Sequence, residues 1–153
     1  MIDLADQQEV SLRRGRAEDA AACAAILNDR IDQRDWMTRT YSPEDIAAFY
    51  ADFVFVERQV WVSGNPVAGF MALDESGQQV TALYVAKPGR GLGKRFLDLA
   101  KTGRTELAVW TYLANRGARR FYAREGFREI RQVVDDADTG LTEVLMRWER
   151  GDD

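Results

Sequence analysis

Three closely spaced glycines, Gly89, Gly91 and Gly93, stand between a strand pattern and a helix pattern, and that juxtaposition narrows what the chain can become. Upstream, Gln79-Val80-Thr81-Ala82-Leu83-Tyr84-Val85 is rich in β-branched and aromatic residues. Downstream, Lys94-Arg95-Phe96-Leu97-Asp98-Leu99-Ala100-Lys101 has helical spacing of apolar residues. A strand, a glycine-rich turn and a helix N-terminus make a binding place for phosphate. The first backbone N–H groups of a helix have no intrahelical acceptor, and the helix dipole favours an anion there. Glycines admit the anion close to the backbone. An ordinary strand-to-helix turn uses glycine too, so this segment alone leaves both readings open.

A second segment, Asn115-Arg116-Gly117-Ala118-Arg119-Arg120-Phe121-Tyr122-Ala123-Arg124-Glu125-Gly126-Phe127, adds specificity. With the glycine-rich turn it resembles the GNAT family of acetyl-CoA-dependent N-acetyltransferases. The family carries (Gln or Arg)-x-x-Gly-x-(Gly or Ala) after its fourth strand, where this chain has Gly91 and Gly93 with Gly89 as an additional glycine. Later it carries an Asn, then Phe-Tyr, then Gly-Phe, matched by Asn115, Phe121-Tyr122 and Gly126-Phe127. The resemblance runs from about Val10 to Trp148. It departs at Pro88, which stands at the Gln or Arg position and has no N–H, and in a turn about two residues shorter than usual.

Size and composition agree with one enzyme domain spanning 1–153, with residues 1–9 as a loosely ordered leader. The chain has 153 residues, of which 46% are hydrophobic and 30% charged, a globular balance. A net charge of −4 argues against a non-specific nucleic-acid binder, which needs a basic excess. No apolar run approaches the roughly 20 residues of a membrane span. The acidic start lacks the basic and apolar regions of a signal peptide. A single cysteine, Cys23, excludes an internal disulfide, and the expected location is cytoplasmic. Without histidine there is no His-dependent triad or His-ligated zinc, and no metal site is expected.

The pattern predicts a strand over Val10 to Arg14 and a helix over Ala17 to Ile31 whose apolar face is Cys23, Ile26, Leu27 and Ile31. Ser42-Pro43-Glu44-Asp45 is a helix start, and Ile46, Phe49, Tyr50 and Phe53 form one stripe. Strands follow at Phe53 to Val62, Val67 to Leu73 and Gln79 to Val85, an antiparallel meander. The next helix turns Leu92, Phe96 and Leu99 inward. Then come a strand at Thr105 to Tyr112 and a helix at Asn115 to Arg124 closed by Gly126. Two strands, Phe127 to Val133 and Leu141 to Trp148, flank an acidic loop from Asp135 to Gly140. This order matches the GNAT fold: a mixed, mostly antiparallel sheet of about seven strands flanked by about four helices, an α/β (α+β) architecture.

The resemblance implies specific roles. Backbone N–H groups of Gly89, Arg90, Gly91, Leu92, Gly93 and Lys94 would cradle the pyrophosphate of acetyl-CoA, the acetyl donor. A backbone N–H among Leu83, Tyr84 and Val85 would polarise the thioester carbonyl. Tyr122 would be the general acid that protonates the departing thiolate. A tyrosine of ordinary pKa is protonated at neutral pH, although a core tyrosine would share its helical spacing with Ala118. Asn115 would contact the pantetheine arm or cap the last helix.

The general base is unassigned. Some relatives carry a Glu five residues before the Asn, but here that position is Trp110. Glu143, Glu106, Glu57 and Asp45 are the nominal alternatives, and a water chain is another. Trp36, Tyr41, Trp61, Trp110 and Tyr112 are the aromatic residues expected near the acceptor. The expectation is direct attack of a primary amine, from a small molecule, on acetyl-CoA. Competing readings are a non-catalytic acyl-CoA-binding domain and a protein N-terminal acetyltransferase. A homodimer through the last strands is compatible with the sequence.

Overall fold

The computed structural model of the protein describes residues 11–134 and 139–151. The N-terminal segment 1–9 and residues 135–138 of the acidic loop lie outside the described residues. Chain order gives β1 (Leu12–Arg14), α1 (Ala20–Gln33), α2 (Pro43–Phe49), β2 (Gln59–Ser63), β3 (Gly69–Leu73) and β4 (Gln79–Val85). It continues with α3 (Leu92–Lys101), β5 (Glu106–Tyr112), α4 (Arg116–Arg124), β6 (Arg128–Val134) and β7 (Thr142–Glu149). The strands form one sheet in the order β1-β2-β3-β4-β5-β7-β6. Only β4 and β5 run parallel; every other neighbouring pair is antiparallel.

Alternation along β3, where every residue is buried, splits the core in two. Phe70 and Ala72 face Cys23, Ile26, Ile46 and Tyr50 of the α1–α2 layer. Met71 and Leu73 face Phe96, Leu97 and Tyr122 of the α3–α4 layer, together with Leu107, Val109, Val144 and Met146. Each large apolar side chain so buried is worth about 1.5–3 kcal/mol. β1 is joined to the start of α1 by a two-pronged ion pair. Arg13 donates to both Asp19 carboxylate oxygens at 2.8 and 2.9 Å, and the Arg16 N–H donates to the same group. These bonds hold the Asp19 carboxyl below its usual pKa range.

Three expected elements differ. The stretch 53–57 is helical rather than extended: α2 continues through a π-helical turn, Tyr50–Val54, and a closing turn, Phe55–Glu57. Ile46, Tyr50 and Val54 recur every four residues and seat that rod on the sheet. This packing overrides the strand propensity of Phe53-Val54-Phe55-Val56. For the same reason Phe49 and Phe53 are not in the buried stripe. They stay exposed and stack on each other at 5.1 Å. On α3 the buried set is Leu92, Phe96, Leu97 and Ala100, with Leu99 only partly covered. Finally, β3 starts at Gly69, because Val67 and Ala68 remain in the turn closed by the Ala68 N–H on the Ser63 carbonyl.

Candidate active site

β4 and β5 pair only through Gln79–Ala108 and Val80–Val109, and then separate. The cause is local. Thr81 is an extra residue in β4, since Leu73 pairs with Val80 and Ala72 with Ala82. Such a bulge bends its strand. The Thr81 hydroxyl fixes the bend by donating to the Ala72 carbonyl at 3.1 Å. From Ala82 to Val85, β4 has a partner on the β3 side only.

The gap opens into a cleft of about 620 Å³. Its wall includes Leu83, Tyr84, Val85, Gly89, Arg90, Gly91, Leu92, Gly93, Lys94, Asn115 and Tyr122. Every residue that the sequence nominated for cofactor binding, and the nominated general acid Tyr122, therefore lines this one cavity. It also takes Arg30 and Arg34 from α1 and Phe121, Arg124 and Glu125 from α4. Because α1 and α4 pack on opposite faces of the sheet, the cleft reaches both faces through the gap between the strands.

The three turn glycines serve different ends. Gly89 and Gly91 have φ of +88° and +78°, a region that L side chains avoid, and a Cβ on either would point into open space. Gly91 is the N-cap of α3. The N–H groups of Leu92, Gly93 and Lys94 find no protein acceptor among the described residues, as a helix start requires. At Gly93 a Cβ would come within 3.0 Å of the Phe121 ring, so this glycine lets α3 and α4 approach. Lys101 ties the other ends of these helices, donating to the Glu125 carbonyl at 2.6 Å. The Lys94 ammonium lies within 3.3 Å of Asp98 and 3.4 Å of Glu125, so its charge is shared with two carboxylates. Open backbone donors, positive side chains and the absence of Cβ atoms at Gly89 and Gly91 fit a pyrophosphate.

Asn115 caps α4, its Oδ1 accepting from the Ala118 N–H at 3.0 Å. Its Nδ2 has no partner among the described residues. Tyr122 is 6% exposed and packs edge-on against Phe127 at 5.4 Å. Its hydroxyl makes no hydrogen bond to a described residue. Since no buried side-chain oxygen or nitrogen lacks a partner, that hydroxyl opens to the cleft. Burial raises its pKa well above the usual value, which keeps the proton on oxygen at neutral pH. Tyr84 is raised for the same reason, with the charge of Arg34 opposing.

Among the described residues Glu125 is the only carboxylate on the cleft wall; Glu143, Glu106, Glu57 and Asp45 are not part of it. None of the five aromatic residues expected near the acceptor is part of this wall either. Trp36 and Tyr112 meet edge-on at 5.6 Å beyond the wall, Trp61 packs beneath Arg14, Trp110 beneath Arg131, and Tyr41 is exposed. Arg30 and Arg34 escaped the sequence reading. The only signal was their spacing of four residues on α1, which many solvated helices share.

Comparison with known proteins agrees with this geometry. Residues 37–150 match the family model described as an acetyltransferase (GNAT) domain. The peptidyl-lysine N-acetyltransferase YjaB of Salmonella typhimurium is 30% identical over 135 residues, covering 83% of this chain and 90% of that protein. The solution structure of apo YjaB from Escherichia coli superposes with a TM-score of 0.73 at 26% identity, over 90% of this chain and 96% of that one. The structure of yncA from Salmonella typhimurium with its cofactor acetyl-CoA shares the fold at 22% identity and a TM-score of 0.64, over 94% and 95% of the two chains. A glycine-rich turn at a parted strand pair, facing a buried tyrosine, thus coincides with family membership: the chain belongs to the GNAT family of acetyl-CoA-dependent N-acetyltransferases.

Proposed function

We propose that the protein transfers the acetyl group of acetyl-CoA to the primary amine of a small molecule, by direct attack and with Tyr122 as general acid. The observation that carries this reading is the Tyr122 hydroxyl. It sits on a nearly buried side chain, has no partner among the described residues and faces the cleft that the glycine-rich turn closes. Acetyl-CoA supplies an activated acyl group: a C–N bond forms to the neutral amine, the C–S bond breaks, and the sulfur leaves with the bonding pair. Tyr122 gives that sulfur its proton and recovers one from solvent as the amine nitrogen sheds its own.

The turn N–H groups from Gly89 to Lys94 hold the pyrophosphate, with Arg90 adding charge beside them. A backbone N–H among Leu83, Tyr84 and Val85 donates to the thioester oxygen as charge builds there. The Nδ2 of Asn115 is free to bind the pantetheine arm while its Oδ1 caps α4. A lysine side chain of a protein is the second reading of the acceptor, favoured by the similarity to a peptidyl-lysine N-acetyltransferase.

The test is calorimetric titration with acetyl-CoA, followed by thiol release from acetyl-CoA with a panel of small amines and a lysine-containing peptide. Micromolar binding with turnover of a small amine is expected. Binding without turnover of any acceptor would point to a non-catalytic acyl-CoA-binding domain.

A further inference from the structure

The cleft is cationic in an acidic protein. Its wall carries Arg30, Arg34, Lys87, Arg90, Lys94 and Arg124 against the single carboxylate of Glu125, while the whole chain has a net charge of −4. Lys87, Arg90 and Lys94 belong to the turn and serve the phosphates of the donor. Arg30 and Arg34 come from α1, across the sheet from α3 and α4. Arg30 is held, its Nη2 donating to the Val85 carbonyl at 2.7 Å. Arg34 is the last-turn cap of α1, where the backbone becomes extended. Its guanidinium lies 5.4 Å from the Trp36 ring and has no hydrogen-bond or ion-pair partner among the described residues. Trp36 in turn rests on Tyr112 at the end of β5. The segment therefore spans from β4 to β5, over the parted strands rather than over the turn.

Building on the transfer reading, we infer that Arg34, seconded by Arg30, binds a carboxylate of the acceptor, so that the substrate is an amino-acid-type primary amine. A planar guanidinium without a counter-ion, pinned on an aromatic face, is preorganised for two parallel hydrogen bonds to a carboxylate. Two neighbouring cations also disfavour an ammonium and favour the neutral amine that attacks.

The experiment compares the standard L-amino acids with their α-carboxamides as acceptors, on wild type, Arg34→Gln and Arg34→Lys, by thiol release from acetyl-CoA. A lysine-containing peptide and calorimetric affinity for acetyl-CoA complete the set. The amide's amine is the more acidic of each pair, so any ionisation bias runs against the expected result. In wild type the best amino acid should exceed its amide by about 10- to 100-fold in kcat/KM, the value of a charge-assisted hydrogen-bonded pair. Arg34→Gln should erase that ratio through the acceptor KM, Arg34→Lys should restore part of it, and acetyl-CoA affinity should not change. Equal rates for acid and amide in wild type, or preference for the lysine peptide, would overturn the inference and leave acetyl transfer standing. Weaker acetyl-CoA binding in Arg34→Gln with the ratio intact would reassign the guanidinium to the donor's phosphates. Acetyl-CoA binding with turnover of no amine at all would remove the transfer reading along with this one.

Discussion

Val80 and Val109 are register partners in the parallel pair, with 2% and 4% of their surfaces exposed. A few residues further along the same two strands, Leu83 to Val85 line an open cleft. The two ends of this strand pair share composition and neighbours, and they differ in one inserted residue, Thr81, that bends β4 away. At the closed end, backbone bonds and apolar packing stabilise the sheet. At the open end the strand has no partner on the β5 side, and stability there comes from its surroundings: β3, the Arg30 bond to the Val85 carbonyl, and the layers on both faces.

The comparison breaks most severely at the open end's turn. Gly91→Glu puts bulk and negative charge where the pyrophosphate is proposed to bind, and acetyl-CoA affinity should fall by more than about 100-fold in calorimetry. Gly103→Glu is its control: φ is +76° and a Cβ meets nothing within 4 Å, so backbone strain is matched while the cleft is untouched. Equal loss in both variants would mean strain, rather than charge in the cleft, is responsible. At the closed end, Leu107→Ala removes a side chain with 0% exposure and should cost about 2–5 kcal/mol in denaturant unfolding. A variant that survives this loss should keep its acetyl-CoA affinity.

Tyr122→Phe should lower kcat about 100-fold with little change in unfolding midpoint, since the ring packing against Phe127 remains. A kcat unchanged in steady-state assays would return Tyr122 to a packing role. Away from both ends, Asp19 should set acid stability. Its pKa is lower folded than unfolded, so the Arg13 pair contributes above an unfolded pKa of about 3.9 and is lost as pH falls through the folded value. Melting temperature should therefore drop at acid pH, less steeply in Asp19→Asn, and that variant should lose about 1–2 kcal/mol at neutral pH because Arg13 is partly exposed. Smallest is the effect at Cys23, whose thiol burial pushes up to about 12. It should resist a disulfide reagent at pH 8 until the protein unfolds, and rapid native-state labelling would contradict that burial.

Much of the site was legible because its parts are local. Gly89 and Gly91 are needed where φ is positive, Ser42 and Asn115 cap the helices that follow them, and Tyr122 sits at a fixed spacing from Asn115. Each of these depends on a few consecutive residues, and short-range backbone chemistry is what a sequence states directly. The helix through Phe53 to Glu57 was not legible, because Val54 is fixed by a core assembled from distant strands. The place of Arg34 on the cleft wall was hidden for a related reason: an arginine at a polar helix end becomes informative only when its lack of a partner among the described residues and its place over the β4–β5 gap are known.

From the sequence alone came the order of elements, the family, the glycine-rich turn and the tyrosine. The order of elements and the turn rest on turn geometry, capping and periodicity, which act over a handful of residues; the family and the tyrosine came from the resemblance of two short motifs to GNAT sequences. Tertiary structure alone decided that β4 and β5 part after Val80, that the residues nominated for the cofactor and Tyr122 share one cleft, and that Arg30 and Arg34 face it from the other side of the sheet. Those are outcomes of long-range packing and strand register, where each residue's environment is set by partners far away in the chain.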